Sequence, residues 1–220
     1  MLLYIVGMLQ HSLQLIKELL FPQICAGCGA WFSPLCPYCY NTLSFHILPK
    51  TFRLSDNSKM IVWSMLEFDD KVRTLIHRLK YQGMHETAPL LADLLYFATY
   101  IPPIDIIVPV PLHQNRQHQR GYNQSELLAN RLTHHLQTPT IPALLKIADS
   151  GQQAKTHSKT ERLQNLIGNF VLAPEYQASI SGKRILILDD VLTTGATLTA
   201  CGEVLLRANP SEILGLTIAH

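Results

Sequence analysis

The sequence predicts an α/β protein, a parallel β-sheet flanked by helices, with a small cysteine-built module ahead of it. Three observations carry that prediction. Beyond about residue 61, short apolar runs alternate with segments of helical periodicity, the pattern of strand–helix units laid into a parallel sheet. One such run, Ile185 to Leu188, ends in two acids and passes through Thr193-Thr194-Gly195 into a further helix. At the front of the chain, four of the five cysteines fall within fifteen residues. The implied organisation is an N-terminal helix over 1–20, a cysteine module over 21–45 and an α/β domain over 46–220.

With 220 residues, 47% of them apolar and 15% charged, the chain has the material for one compact core and a small extra module. The formal charge of +2 tolerates a polyanionic partner without requiring one.

Leu2, Val6, Leu9, Leu13, Ile16 and Leu20 recur at steps of four and three, which makes one stripe of an amphipathic helix. The apolar run at its start is too short to span a bilayer, and no basic residue precedes it. A cytoplasmic protein is therefore expected. The helix docks on its own domain in the simplest reading, with a partner helix or the surface of the inner membrane as alternatives.

At Phe21-Pro22 the stripe stops. Cys25-Ala26-Gly27-Cys28 and Cys36-Pro37-Tyr38-Cys39 then give two CxxC turns seven residues apart. Each turn aims two thiolates at one point, and two such turns close a tetrahedral set. Soft sulfur donors without His or carboxylate favour zinc in a structural role, and Gly27 lets the backbone fold tightly. A pair of disulfides or a redox CxxC is the alternative. Cys201 stands alone and reads as a packing residue. From Asn41 to about Met60 the signal is weak and suggests a linker with a short element.

Ile61 to Phe68 reads as a strand. Asp69 or Asp70 then caps a helix whose apolar face is Val72, Leu75, Ile76 and Leu79, with Gly83 as its stop. A second helix is expected over Thr87 to Tyr100, closed by Pro102-Pro103. The run Ile104 to Val110 reads as a buried strand, Ser125 to Leu136 as a helix, Ala196 to Arg207 as another, and Ile213 to Ile218 as a closing strand.

The segment from Ile185 to Thr197 carries the chemistry. Backbone N–H groups at a helix start, with the hydroxyls of Thr193, Thr194 and Thr197, form a cradle for a phosphate monoester. Gly195, followed by Ala196, permits close backbone approach. Asp189 and Asp190, at the C-terminal end of a strand, can accept hydrogen bonds from a ribose diol, and ligands of open α/β sheets bind at that edge. A chance acidic turn is the bland alternative.

This segment resembles the phosphoribosyl pyrophosphate motif of type I phosphoribosyltransferases. The resemblance implies that Asp189 and Asp190 serve the ribose hydroxyls, directly or through magnesium-bound water, and that Thr193 to Thr197 hold the 5′-phosphate. Upstream, Leu79-Lys80-Tyr81-Gln82-Gly83, Val108-Pro109-Val110-Pro111-Leu112-His113 and Arg120-Gly121-Tyr122-Asn123-Gln124-Ser125 occur in that order. With the cysteine module just after Leu19-Leu20-Phe21-Pro22, the set resembles the ComF family of competence-associated proteins, which includes ComFC and GntX-like members.

That resemblance implies a pyrophosphate loop at Pro111, Leu112 and His113, with Lys80 and Arg120 facing a diphosphate and its magnesium. For both cations a solvated surface position is the alternative. Tyr122, Asn123 and Gln124 open the next helix, so capping competes with ligand contact there. The resemblance further implies a closing loop from Asp149 to Gly168, containing Gln153, Lys155, Lys159 and Arg162. The chain departs from the family pattern where His157-Ser158-Lys159 replaces the usual Leu-Ser-Arg and Ser150 replaces Thr.

The function implied is a magnesium-dependent phosphoribosyl transfer to an acceptor that the sequence does not reveal. A non-catalytic phosphoribosyl-ligand sensor is one alternative. A competence scaffold that handles single-stranded DNA, with DNA-uptake proteins as partners in natural transformation, is another. Arg116, His118 and Arg120 form one modest basic cluster, and aromatic residues are 8% of the chain.

Overall fold

The computed structural model describes residues 24–25, 27–31, 33, 35–47, 49–81, 87–148 and 166–220. The expected helix over 1–20 and the expected closing-loop residues Gln153, Lys155, Lys159 and Arg162 lie outside them, as does Gly83. The chain divides into two compact units, with the boundary between Leu43 and Ser44. Among the described residues, no helix is long and apolar enough to cross a membrane.

Among the described residues, the first unit holds a helical turn, α1 (Pro37–Asn41), and an antiparallel bridge between Ile24 and Trp31. Pro37 begins α1 where a missing N–H leaves no bond unmade, and the Cys36 side chain caps it by accepting from the Cys39 N–H.

The second unit is built on a five-stranded sheet. Its strands are β1 (Lys50–Arg53), β2 (Lys59–Leu66), β3 (Ile106–Pro109), β6 (Arg184–Val191) and β7 (Glu212–Ala219), in the order β1-β2-β7-β6-β3. All neighbours are parallel except β1, which pairs antiparallel with β2 at one edge. In β6, Ile185 and Ile187 on one face and Leu186 and Leu188 on the other are all buried. That explains an unbroken apolar run instead of alternation.

Helix α2 (Asp70–Tyr81) begins where expected. The Asp69 carboxylate accepts from the Val72 N–H at 2.7 Å, and Val72, Leu75, Ile76 and Leu79 are buried. Helix α3 (Thr87–Ala98) ends two residues before the expected stop and packs on α5 (Gln124–Leu136). Beneath the other face of the sheet, α7 (Ala196–Leu206) buries Leu198, Cys201, Val204 and Leu205 against Ile185, Ile187 and Ile213. Cys201 is thus the packing residue expected.

The weak stretch before Met60 contains β1, a short element of the kind expected there. Two features were not anticipated. A short polar helix, α4 (Gln114–Arg120), follows β3. A separate antiparallel pair, β4 (Leu144–Lys146) with β5 (Phe170–Leu172), leads into a 3-10 turn at Pro174–Tyr176 and α6 (Gln177–Ile180).

At the start of β3 and β6, Arg184 grips Asp105. Its Nε and Nη2 meet the two carboxylate oxygens at 3.0 and 2.9 Å, and its backbone N–H donates to Oδ2 at 2.9 Å. The guanidinium and this N–H hold the Asp105 carboxyl far below the usual carboxylate range.

Candidate functional site

The strands β3 and β6 deliver their C-terminal ends side by side, with Pro109 paired to Leu188 and the Val110 N–H donating to the Leu188 carbonyl at 2.9 Å. Asp189 and Asp190 come immediately after. Successive strand residues face opposite ways, so the two acids enter different surroundings. Asp190 is buried and turns toward α2 and α5: Lys80 Nζ lies 2.9 Å from its Oδ2, and Gln124 Nε2 donates to the same oxygen at 2.8 Å. Asp189 Oδ1 accepts from the Asp190 N–H at 2.8 Å and from Ser125 Oγ at 3.2 Å.

The electrostatics follow from this placement. Burial first, and the neighbouring Asp190 carboxylate second, push the Asp189 carboxyl up to about 7, although part of the side chain still meets solvent. The Asp190 N–H, the Lys80 charge and the Ser125 hydroxyl pull the other way without cancelling these two effects.

Lys80 is therefore not a free surface cation. Arg120 is tied in as well, since its Nη1 donates to Gln124 Oε1 at 2.7 Å. Gln124 thus bridges Arg120 to Asp190 through its two amide ends, and it is itself buried. Beside this chain of contacts lies a cavity of about 380 Å³, lined by Lys80, Arg116, Gln119 and Arg120. Arg116, Gln119 and Arg120 sit on one side of α4 at the three- and four-residue spacing of a helix face. Three of these four described lining residues are cations, which suits the cavity to an anion.

The other expected contacts divide. Asn123 caps α5: its Oδ1 accepts from the Ser125 N–H at 3.1 Å while its Nδ2 donates to the Val110 carbonyl at 3.0 Å. Its side chain ties the β3 loop to α5. Tyr122 donates its hydroxyl to the Leu79 carbonyl and so fixes the end of α2 that carries Lys80. Burial pushes the Tyr122 phenol up. His113 caps α4, its Nδ1 accepting from the Asn115 N–H at 3.3 Å. Pro111 and Leu112 lead from β3 into that cap.

After β6, Thr193 and Thr194 are exposed at the turn, and Gly195 begins α7 with φ of 78°. Gly195 offers no side-chain cap, and the Ala196 N–H donates to Thr194 Oγ1 at 3.4 Å. In the same first turn the Thr197 N–H has no carbonyl within the helix to meet, which suits it to an oxyanion. Phe52 of β1 lies against this turn: a Cβ at Gly195 would fall 2.1 Å from Phe52 Cε1. Glycine is needed here both for φ and for space.

Phe52 and Gln119 are not singled out by their sequence context, and Arg116 shows there only as part of a modest basic cluster with His118 and Arg120. Phe52 lies in a strand with no clear alternation, and α4 is polar all round, so hydrophobic periodicity marks neither. The signal that was present is the i, i+3, i+4 recurrence of donors at Arg116, Gln119 and Arg120.

In the first unit, the Sγ atoms of Cys25, Cys28, Cys36 and Cys39 all lie within 4.8 Å of one another, and those of Cys28 and Cys36 are 3.7 Å apart. A tetrahedral centre with metal–sulfur bonds of about 2.3 Å requires sulfur separations of about 3.8 Å. The donors fit a metal, and none of the five described cysteines is in a disulfide in this structure. Burial pushes the Cys25 thiol up, but N–H donors from Cys36, Cys28 and Gly27 outweigh it and bring the group down to about 6. Burial and the three neighbouring thiols push Cys39 up to about 12. A Cβ at Gly27 would come 2.6 Å from Cys39 Sγ, so the sulfur cage needs a glycine there.

Comparison with known proteins agrees with this architecture. Residues 122–219 match the family described as "Phosphoribosyl transferase domain". "Competence protein F" of Haemophilus influenzae is 29% identical over 202 residues, 86% of this chain and 87% of that protein. "DNA utilization protein YhgH" of Salmonella typhi is 31% identical over 161 residues, 68% of this chain and 67% of that protein. "Competence protein ComFC" of Bacillus subtilis is 26% identical over 198 residues, 84% of this chain and 78% of that protein. A cysteine cluster able to hold a metal, a parallel sheet with paired acids at its edge and this set of relatives converge on one conclusion: the chain belongs to the ComF family and carries a type I phosphoribosyltransferase fold.

Proposed function

We propose that this protein binds phosphoribosyl pyrophosphate with magnesium and transfers its phosphoribosyl group to an acceptor, in the service of natural transformation. The observation that carries the reading is the junction of β6 with α7. Two acids, one of them buried, stand beside a glycine-hinged turn that opens a helix, and a cationic cavity lies on the Asp190 side. The 5′-phosphate would sit on the turn from Thr193 through Gly195 and Ala196 to Thr197, the ribose hydroxyls on Asp189 and Asp190. The diphosphate would occupy the cavity, held by Lys80 and Arg120 and approached by the loop at Pro111, Leu112 and His113.

Magnesium, when bound with the ligand, supplies charge neutralisation at the diphosphate. Asp189 and Asp190 carry hard oxygen donors of the kind such an ion takes once Lys80 has left Asp190. The remaining chemistry belongs to the chain. As the bond from the anomeric carbon to the diphosphate oxygen breaks, the diphosphate leaves with the electron pair, and an acceptor nucleophile forms the new bond at that carbon. Lys80 and Arg120 stabilise the departing charge, and the positioned acids hold the sugar while positive charge develops on its ring. Gln153, Lys155, Lys159 and Arg162 belong to the segment that closes over the ligand in this reading.

The four cysteines hold zinc in a structural role, since an all-sulfur set leaves no open position for substrate. The division at 20/21 and 45/46 is kept, with the helix, the zinc knuckle and the transferase-like domain as separate parts in a cytoplasmic protein. The relatives' names speak of competence and DNA utilization. Single-stranded DNA and DNA-uptake proteins are accordingly the macromolecular partners of this reading.

The test is calorimetric titration of phosphoribosyl pyrophosphate with magnesium into zinc-replete protein and into an Asp189→Ala, Asp190→Ala variant. Binding by the wild type and its loss in the double variant support the assignment. No binding by the folded wild type sinks it.

A further inference from the structure

We propose that Lys80 and a divalent cation compete for Asp190, and that an anion entering the neighbouring cavity resolves the competition by drawing Lys80 away. The inference rests on the reading above, in which this site takes a phosphate group and a metal together. It adds that the two bind weakly alone and assist each other through one side chain.

The geometry gives three reasons. First, Asp190 Oδ2 is already occupied twice, by Lys80 Nζ at 2.9 Å and by Gln124 Nε2 at 2.8 Å. A cation with hard oxygen preference cannot take that oxygen while both donors remain, and an ammonium at that distance repels it. Second, the two donors differ in freedom. Gln124 is buried and anchored at its far end by Arg120. Lys80 stands on a flexible four-carbon stem with about a quarter of its side chain exposed, at 24%. Lys80 is the donor that can leave. Third, Lys80 also lines the 380 Å³ cavity with Arg116, Gln119 and Arg120, so its exit from Asp190 leads toward the anion. Its release exposes a buried carboxylate, which then needs a new counter-charge.

The groups facing Asp190 include Lys80 from α2, Gln124 from α5 and Asp189 from its own strand. Lys80 is the one full positive charge within contact distance of the carboxylate in that set. An ammonium cannot at once neutralise Asp190 and a phosphate. Metal and anion are therefore positively coupled, with a coupling of about tenfold expected for a contact of this kind.

The experiment titrates Mn2+ alone, inorganic phosphate alone and Mn2+ at saturating phosphate into zinc-loaded protein, reading free Mn2+ by electron paramagnetic resonance and phosphate by calorimetry. The proteins are wild type, Lys80→Met, Lys80→Arg and Asp190→Asn. Lys80→Met should bind Mn2+ about tenfold more tightly than wild type while losing phosphate affinity, an opposition that damage to the site would not produce. Phosphate should tighten Mn2+ binding in the wild type and have no such effect in Lys80→Met. Lys80→Arg, which keeps the charge, should keep Mn2+ binding weak.

If Lys80→Met binds Mn2+ no more tightly than wild type, the competition is refuted while the ligand reading stands. Should Lys80→Met not fold, absence of coupling in the wild type alone refutes it. Failure of the wild type to bind phosphate, or Mn2+ binding untouched by Asp190→Asn, overturns both readings together.

Discussion

Replacing Gly195 with alanine tests the turn at the start of α7 at its tightest point. Two separate penalties apply. The residue sits at φ 78°, a conformation that costs an L-residue roughly 1–2 kcal/mol. The new methyl would also lie 2.1 Å from Phe52 Cε1 and 2.3 Å from its Cζ, well inside contact distance. Forcing an extra carbon into such a place costs about 1–3 kcal/mol through displaced side chains and backbone. Gly195→Ala should therefore lower stability by about 2–5 kcal/mol in urea unfolding. The two penalties separate in a double-mutant cycle. In a Phe52→Ala background the clash is gone and only the backbone term remains, so Gly195→Ala should then cost about 1–2 kcal/mol. The difference is the contact itself. Equal costs in the two backgrounds would refute the placement of the Phe52 ring against the turn, and with it the account of why a glycine stands there.

Two further outcomes follow from the paired acids and the sulfur cage. Asp189 has its carboxyl raised from an ordinary value near 3.8 to about 7, so the fold favours its protonated form. The stability from that preference is complete below about pH 4 and is lost as pH rises through 7. Asp189→Asn removes the loss, so in urea unfolding the variant should be more stable than wild type at pH 8, on the order of 2 kcal/mol, with the gap closing toward pH 4. A gap that does not change with pH would contradict the raised carboxyl. Gly27→Ala would place a methyl 2.6 Å from Cys39 Sγ. Competition against a chelator should then show metal affinity weakened about tenfold or more, and unchanged affinity would show that the cage adjusts freely.

How much of this was legible beforehand depends on which physical signal each part emits. The cysteine quartet was readable because ligand spacing is a local property. The strand Ile185 to Leu188 was readable because burial on both faces makes an unbroken apolar run, and the helix with Val72, Leu75, Ile76 and Leu79 because burial of one face imposes a period on the apolar residues. Asp69 announced the start of α2 because its carboxylate is one of the few side chains that can accept from an unpaired N–H there.

The rest required the third dimension. Helix α4 buries none of its residues and so has no apolar stripe to display. The strand β1 is a short edge strand with one half-buried residue, and its Phe52 acquires meaning only from Gly195, far away in the chain. The roles of Gln124 and Tyr122 were ambiguous for the same reason. Each is a reasonable helix-opening residue, and only the fold shows that Gln124 reaches Asp190 and Tyr122 the end of α2.

The grip of Arg184 on Asp105 has a consequence far from where it is made. It clasps the two strands at their entry, and Asp189 lies five residues further on, about 17 Å along the strand at roughly 3.3 Å per residue. Adjacent residues of a strand look in opposite directions, so the identity of the acid that meets Lys80 is a matter of parity. A slip of β6 by one residue against β3 would present the other face and exchange the two carboxylates. The clasp therefore acts as an indexing pin, set at one end of the sheet, that decides which of two neighbouring acids is aimed at the lysine at the other.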